Sequence, residues 1–223
     1  MERHFFDSQL VDLKGDILFM GDLVEESIID SVGALKQLSR SRAEQVIASD
    51  RIIDGWELKI DEECLELLAL KQPMAGDLRF ITMAMKISTD LERMADLAVD
   101  ISQRVLELAG KPLLKPLVDI PKLTLLAQEM TRDSLKSFVN RDAELARKII
   151  LADRQADDLR DLVQQELLND YMAKDKATIL RAMPLLLVAR HLERICDHAT
   201  NIAEDVIYMI EAKVVKHHQE NLD

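Results

Sequence analysis

Acidic pairs recur along this chain at a spacing of four residues. They are Glu26/Asp30, Asp50/Asp54 and Glu92/Asp96, then Glu129/Asp133, Asp153/Asp157 and Glu193/Asp197. On a helix, positions i and i+4 stand one above the other, and like charges placed so cost a few tenths of a kcal/mol per pair. Repeated use of an unfavourable spacing points to a ligand role, because carboxylate oxygens bind hard and borderline cations. Asp100 extends the row begun by Glu92 and Asp96; Asn201 holds the corresponding place after Glu193 and Asp197.

Long helices must position these groups. The 223 residues include 48% hydrophobic side chains but only 4% aromatics, with 6 glycines and 5 prolines. Strands and their turns need more of all three, so an all-β fold is excluded. Helical periodicity runs through Leu10, Leu13, Ile17, Val24, Ile28, Val32 and Leu35, then through Val46, Ile53, Trp56, Ile60, Cys64 and Leu67. Ser41-Arg-Ala-Glu44 has the form of a capping box and predicts the start of the second helix. Gln72-Pro73 ends it. A third helix carries Ile81, Met83, Ile87, Met94, Ala98, Ile101 and Val105. The segment Gly110 to Pro121 holds three prolines and reads as non-helical throughout. Helices of about 30 to 40 residues, a span of about 45 to 60 Å at 1.5 Å per residue, are expected after it, with breaks near Asn140–Asp142 and Ala173–Asp175.

The chain repeats itself. Shifting the second half back by 101 places Leu192-Glu193-Arg194 on Leu91-Glu92-Arg93, Asp197 on Asp96 and Ile202 on Ile101. A shift of 103 places Asp153 and Asp157 on Asp50 and Asp54. The expected architecture is all-α, a tandem pair of antiparallel three-helix bundles, with 1–112 as the first unit and 113–223 as the second. On a helical wheel, Glu193 and Asp197 stand opposite the stripe of Leu192, Ile195, Ala199, Ile202 and Val206, and Glu92 and Asp96 likewise. Asp50/Asp54 and Asp153/Asp157 lie at the shoulder of the second helix of each unit. A shoulder on one helix and a face on its neighbour can meet over a groove; the first-helix pairs fall outside it. The metal-ligand set expected on these grounds is Asp50, Asp54, Glu92, Asp96 and Asp100 in one half, and Asp153, Asp157, Glu193, Asp197 and Asn201 in the other. The half holding Asn201 is expected to bind more weakly, by one charge.

Other chemistries find no support. The formal net charge of −12 and the lack of a basic patch argue against nucleic acid as a partner. Cys64 and Cys196 form no CxxC pair and read as small core residues in a reducing, cytoplasmic setting. The N-terminus turns acidic at once, unlike a signal peptide, and no apolar stretch is long enough to span a bilayer. No Glu-x-x-His motif occurs, which excludes a ferritin-like di-iron core. His191 and His198 read as packing or surface groups, and the ten methionines as adaptable core filling. A metal-dependent hydrolase using paired surface metals to activate water is the alternative from another class, weakened by the absence of a histidine beside the carboxylates.

The residues also resemble a known family. Gln72-Pro73-Met74-Ala75-Gly76-Asp77-Leu78-Arg79 with Thr89-Asp90-Leu91-Glu92-Arg93-Met94-Ala95-Asp96 is similar to the first signature of the PhoU phosphate-signalling regulators. Ala189-Arg190-His191-Leu192-Glu193-Arg194-Ile195-Cys196-Asp197-His198-Ala199-Thr200-Asn201 is similar to the second. The resemblance implies two tandem three-helix bundles and a cytoplasmic, non-enzymatic, often dimeric regulator. Such a regulator acts between the ATPase subunit of a phosphate ABC transporter and a sensor histidine kinase, holding the phosphate-starvation response off. It also implies surface clusters of divalent or trivalent metal, iron or zinc before magnesium or manganese, on the Glu/Asp-x-x-x-Asp positions named above.

Overall fold

A computed structural model describes residues 2–215. Three helices, α1 (Glu2–Gln37), α2 (Arg40–Lys71) and α3 (Ala75–Leu108), form the first unit, and α4 (Asp119–Asn140), α5 (Ala143–Glu166) and α6 (Ile179–Glu211) the second. No strand occurs among the described residues. The second unit departs from expectation in length, because α4 runs for only 22 residues. Its start also corrects the reading of the proline segment: Pro121 lies inside the first turn of α4, where a missing N–H costs nothing. The capping assignment shifts as well. Ser39, not Ser41, caps α2, because its hydroxyl accepts from the Arg42 backbone N–H, three residues on, at 3.4 Å. Asp142 does the same for α5, accepting from Leu145 N at 2.9 Å. Beyond Glu166 the helix relaxes into a π-turn, Leu167–Met172.

Gln72 takes up a left-handed φ of 46° at the end of α2, so the chain reverses before Pro73. The apolar stripes converge on one core, not two. Ile17, Val24 and Ile28 of α1, Ile60 and Cys64 of α2, and Ile87, Leu91 and Met94 of α3 are all buried. They join Leu123 and Met130 of α4, Ile149 and Val163 of α5, and Leu192, Ile195 and Cys196 of α6 in one continuous cluster. Each buried large side chain contributes about 1.5–3 kcal/mol, so sharing the core ties the stability of the units together. Between the units α1 lies against α4 and α3 against α6. Gly21 permits the α1–α4 approach, since an added methyl there would overlap Leu135 Cδ1. The buried hydroxyls of Thr124, Thr131, Ser134 and Ser137 on α4 donate to carbonyls of their own helix, so none is left unmade.

The α3–α6 seam is antiparallel. Lys86 contacts Asp205 at 3.0 Å, Asp90 contacts Asn201 at 3.4 Å, and Asp100 faces His191 at 3.8 Å, so rising numbers on one helix meet falling numbers on the other. On this pair, α2 packs against α3 and α5 against α6. Each therefore makes a groove with one member of the seam, α2 with α3 and α5 with α6.

Candidate metal-binding faces

The first groove collects acids from two helices. Asp50 and Asp54 come from α2, Glu92 and Asp96 from α3. Burial, then the charges of Asp54 and Asp96, push the Asp50 carboxyl up to about 6. Burial, then Asp96, push Glu92 up to about 7, and Arg93 opposes them. Glu57, a further acid of α2, also acts on Glu92 and is itself raised by burial. Sequence spacing missed Glu57 because it stands three residues from Asp54, outside the four-residue rule. Glu92 does not face out as the wheel implied: its side chain is only 15% exposed, covered from the α2 side. Its Oε2 is shut off from solvent and accepts no hydrogen bond. Arg93 spans the pair, with Nε 3.3 Å from Glu92 and Nη1 2.9 Å from Asp96.

The second groove follows the same plan with a different clamp. Asp153 and Asp157 of α5 face Glu193 and Asp197 of α6. Burial, followed by Asp157 and Glu193, raises Asp153; burial, followed by Glu193 and Asp153, pushes Asp197 up to about 6. Here the guanidinium of Arg160 reaches Asp157 at 2.8 Å and Asp161 at 2.9 Å, and also bonds Glu193. The residues ending each row lie elsewhere. Asp100 faces His191 Nδ1, and Asn201 donates from Nδ2 to Asp90, which also pairs with His198 at 2.8 Å. Both contacts belong to the α3–α6 seam. On α1, Asp30 pairs with Arg42 at 2.7 Å, and Glu25, beside Glu26, pairs with Arg132 across the two units.

Comparison with known proteins accounts for this plan. The model of the PhoU domain matches the chain twice, over residues 17–105 and 120–206. The chain belongs to the PhoU family. The two matched stretches begin 103 residues apart and end 101 apart, the same two shifts that superpose the acidic rows. A PhoU homolog of Aquifex aeolicus, named a phosphate-specific transport system accessory protein, is 43% identical over 209 residues, 94% of each chain. A homolog of the same name from Clostridium acetobutylicum is 36% identical over 96% of this chain and 98% of its own. The crystal structure of PhoU from Pseudomonas aeruginosa superposes with a TM-score of 0.88 at 36% identity, covering 93% of this chain and all of that one. PhoU from Streptococcus pneumoniae, described as a phosphate transport system regulatory protein, also gives 0.88, at 31% identity, with 95% and 99% covered.

The donor chemistry of each PhoU repeat suits a hard cation, and Glu92 Oε2, buried without a hydrogen bond, is the atom such a cation would satisfy. Among the described residues, however, no three His, Cys, Asp or Glu side chains are gathered as a finished metal site. Arg93 and Arg160 hold the carboxylates instead, so an incoming cation has to displace one guanidinium from each groove. Removing bound cations should therefore leave an acid-stabilised protein. Asp50, Asp197 and Glu92 bind protons more readily folded than unfolded. Their contribution is complete below about pH 4, the unfolded carboxylate range, and is lost as pH rises through 6 to 7. After allowance for solvent screening each is worth about 1 kcal/mol. In chelator the melting temperature is expected to rise as pH falls from 8 to 5.5, and Asp50→Asn with Glu92→Gln should flatten the slope. A melting temperature that falls over that interval would contradict the mutual repulsion described here.

Proposed function

We propose that this chain is a non-enzymatic accessory regulator of a phosphate-specific transport system. The observation that carries this reading is the match of both repeats, in order and over nearly the whole chain, to proteins named as such. Its partners are then the transporter's ATPase subunit and a sensor histidine kinase on the cytoplasmic side, and its effect is to hold the phosphate-starvation response off. No described helix is long and apolar enough to cross a membrane, so contact with a membrane complex falls to its surfaces. The two acidic grooves are the features such a surface would use to take up metal, with Asp50, Asp54, Glu92 and Asp96 in one and Asp153, Asp157, Glu193 and Asp197 in the other; with Asp100 and Asn201 in the seam, the one-charge difference expected between them falls away. Exposed Val11, Leu18 and Ile29 fall on one face of α1 and support self-association as a homodimer.

The test is complementation. In a bacterium lacking its own PhoU gene, this chain should restore repression of a phosphate-starvation reporter in rich phosphate, and it should be retained by the purified ATPase subunit. A reporter left fully active by a chain that is expressed and folded would remove the proposal. Elemental analysis after growth without chelators should find iron, zinc or manganese, reduced by more than half in Asp50→Asn/Glu92→Gln. Metal content unchanged by that pair would place the cations elsewhere.

A further inference from the structure

The two repeats provide an internal control, because the same positions can be compared in both grooves. Between α5 and α6 lies a polar cavity of about 450 Å³, lined by Arg160, Gln164, Leu186, Arg190, Arg194, Glu193 and Asp197. The repeat shifts place these on Glu57, Asp61, Met85, Thr89, Arg93, Glu92 and Asp96. Asp61, Met85 and Thr89 line a cavity as well, but that one opens onto Asn201 and Asp205 of α6 and leaves out Glu57, Glu92 and Asp96, so the polar cavity over the acidic groove is particular to the second repeat. The charges have reversed. At these seven positions one arginine stands against four acids in the first repeat, a formal −3, whereas three arginines stand against two acids in the second, a formal +1; with Asp50, Asp54, Asp153 and Asp157 included, the grooves carry −5 and −1.

Arg190 and Arg194 are one turn apart on α6 and exposed to the cavity, and no ion pair or hydrogen bond engages either among the described residues. In a chain of net charge −12, two adjacent guanidinium groups without acids are conspicuous. The acids in the same cavity are not all free to repel an anion, since Glu193 is bonded by Arg160. Planar guanidinium forks match the oxygens of tetrahedral oxyanions, and charge-assisted bonds of this kind are the strong ones. Asp197 completes the set as an acceptor with no donor of its own. It is matched by an oxyanion that keeps a proton at neutral pH, as hydrogen phosphate does and sulfate does not.

We propose that the α5–α6 cavity binds hydrogen phosphate, as the free ion or as a terminal phosphate group, through Arg190 and Arg194, with the Asp197 carboxylate accepting a hydrogen bond from the ligand's P–OH. The first groove, with Glu57, Asp61 and Thr89 at the matching places, is a cation groove only. The inference goes beyond the proposed function, and a chain that complements a PhoU deletion without binding phosphate would sink it alone.

Calorimetric titration of the full chain at pH 7.5 in EDTA tests it, with inorganic phosphate, sulfate and ADP as separate ligands. Saturable phosphate binding is expected, weakened about 100-fold by Arg190→Ala/Arg194→Ala, whose side chains carry no internal contact that folding needs. Arg93→Ala, the matching position in the first repeat, should leave it within about twofold. Sulfate should bind at least tenfold more weakly than phosphate, and Asp197→Asn should close that gap. ADP binding that exceeds phosphate binding and needs the same arginines would identify a nucleotide as the source of the phosphate group. Absence of saturable binding by phosphate and ADP alike, binding that survives loss of both arginines, or equal affinity for sulfate would each overturn the proposal.

Discussion

Phe138→Ala is expected to cost about 3–5 kcal/mol and to lower the melting temperature by about 10 °C, with both repeats lost in one transition. Phe138 at the end of α4 is fully buried and stacks on Phe80 of α3, with ring centroids 5.1 Å apart and planes 10° from parallel. The pair crosses from one repeat to the other, so the void left by truncation is shared by both. Because the rings touch, Phe80→Ala on the Phe138→Ala background should cost less than Phe80→Ala alone. Leu58→Ala, at a position 69% exposed, should change stability by less than about 0.5 kcal/mol and serves as the control. Denaturant unfolding followed by circular dichroism, together with calorimetry, measures all of these. Two separate transitions, or a loss below about 1 kcal/mol, would show that the repeats do not share one core.

Glu166→Ala should be nearly as damaging, though it removes a half-exposed side chain. The connection between repeats carries Lys115, whose side chain is only 3% exposed, and Glu166 at the end of α5 is its acidic partner. Deleting the acid leaves an ammonium group buried without a counter-charge, which costs about 3–5 kcal/mol. Lys115→Met is expected to be much milder: it fills the same space with an apolar chain, and the Glu166 carboxylate, 35% exposed, can rehydrate. The Lys115→Met/Glu166→Ala double variant should therefore be more stable than Glu166→Ala alone. Urea midpoints for the three variants decide it, and a double variant less stable than both singles would mean the pair contributes little.

How legible this molecule is from its sequence depends on the scale. The six helices follow from apolar stripes that need no partner to be seen, and the duplication follows from charged positions that recur in register. Boundaries were harder. A run of three prolines in twelve residues reads as a breaker because composition does not reveal that Pro121, in a first turn, is tolerated, and two serines two residues apart compete to cap α2. The acidic rows show a deeper limit. At 100° per residue each step of four turns 40°, so Asp100 lies 80° around α3 from Glu92, and the row winds out of the α2 groove into the seam. Which neighbour receives it is a matter of packing. Arg160 could have been suspected from its place three residues after Asp157, but its bond to Glu193 joins two helices and appears only in the fold.

The antiparallel seam has a bearing on how such a chain arose. A patch that meets its own copy antiparallel about a two-fold axis is isologous, and two identical half-length subunits would form it by pairing. In that state every substitution is made twice, and an arginine introduced into one groove enters the other as well. Joining the two copies through the Lys115 segment lifted that constraint. Glu57 and Arg160 can hold one repeat position with opposite charges, and Asp90 can meet His198 while Leu97, the counterpart of His198, is apolar. The fused chain keeps the symmetry where the core needs it and gives it up in the grooves.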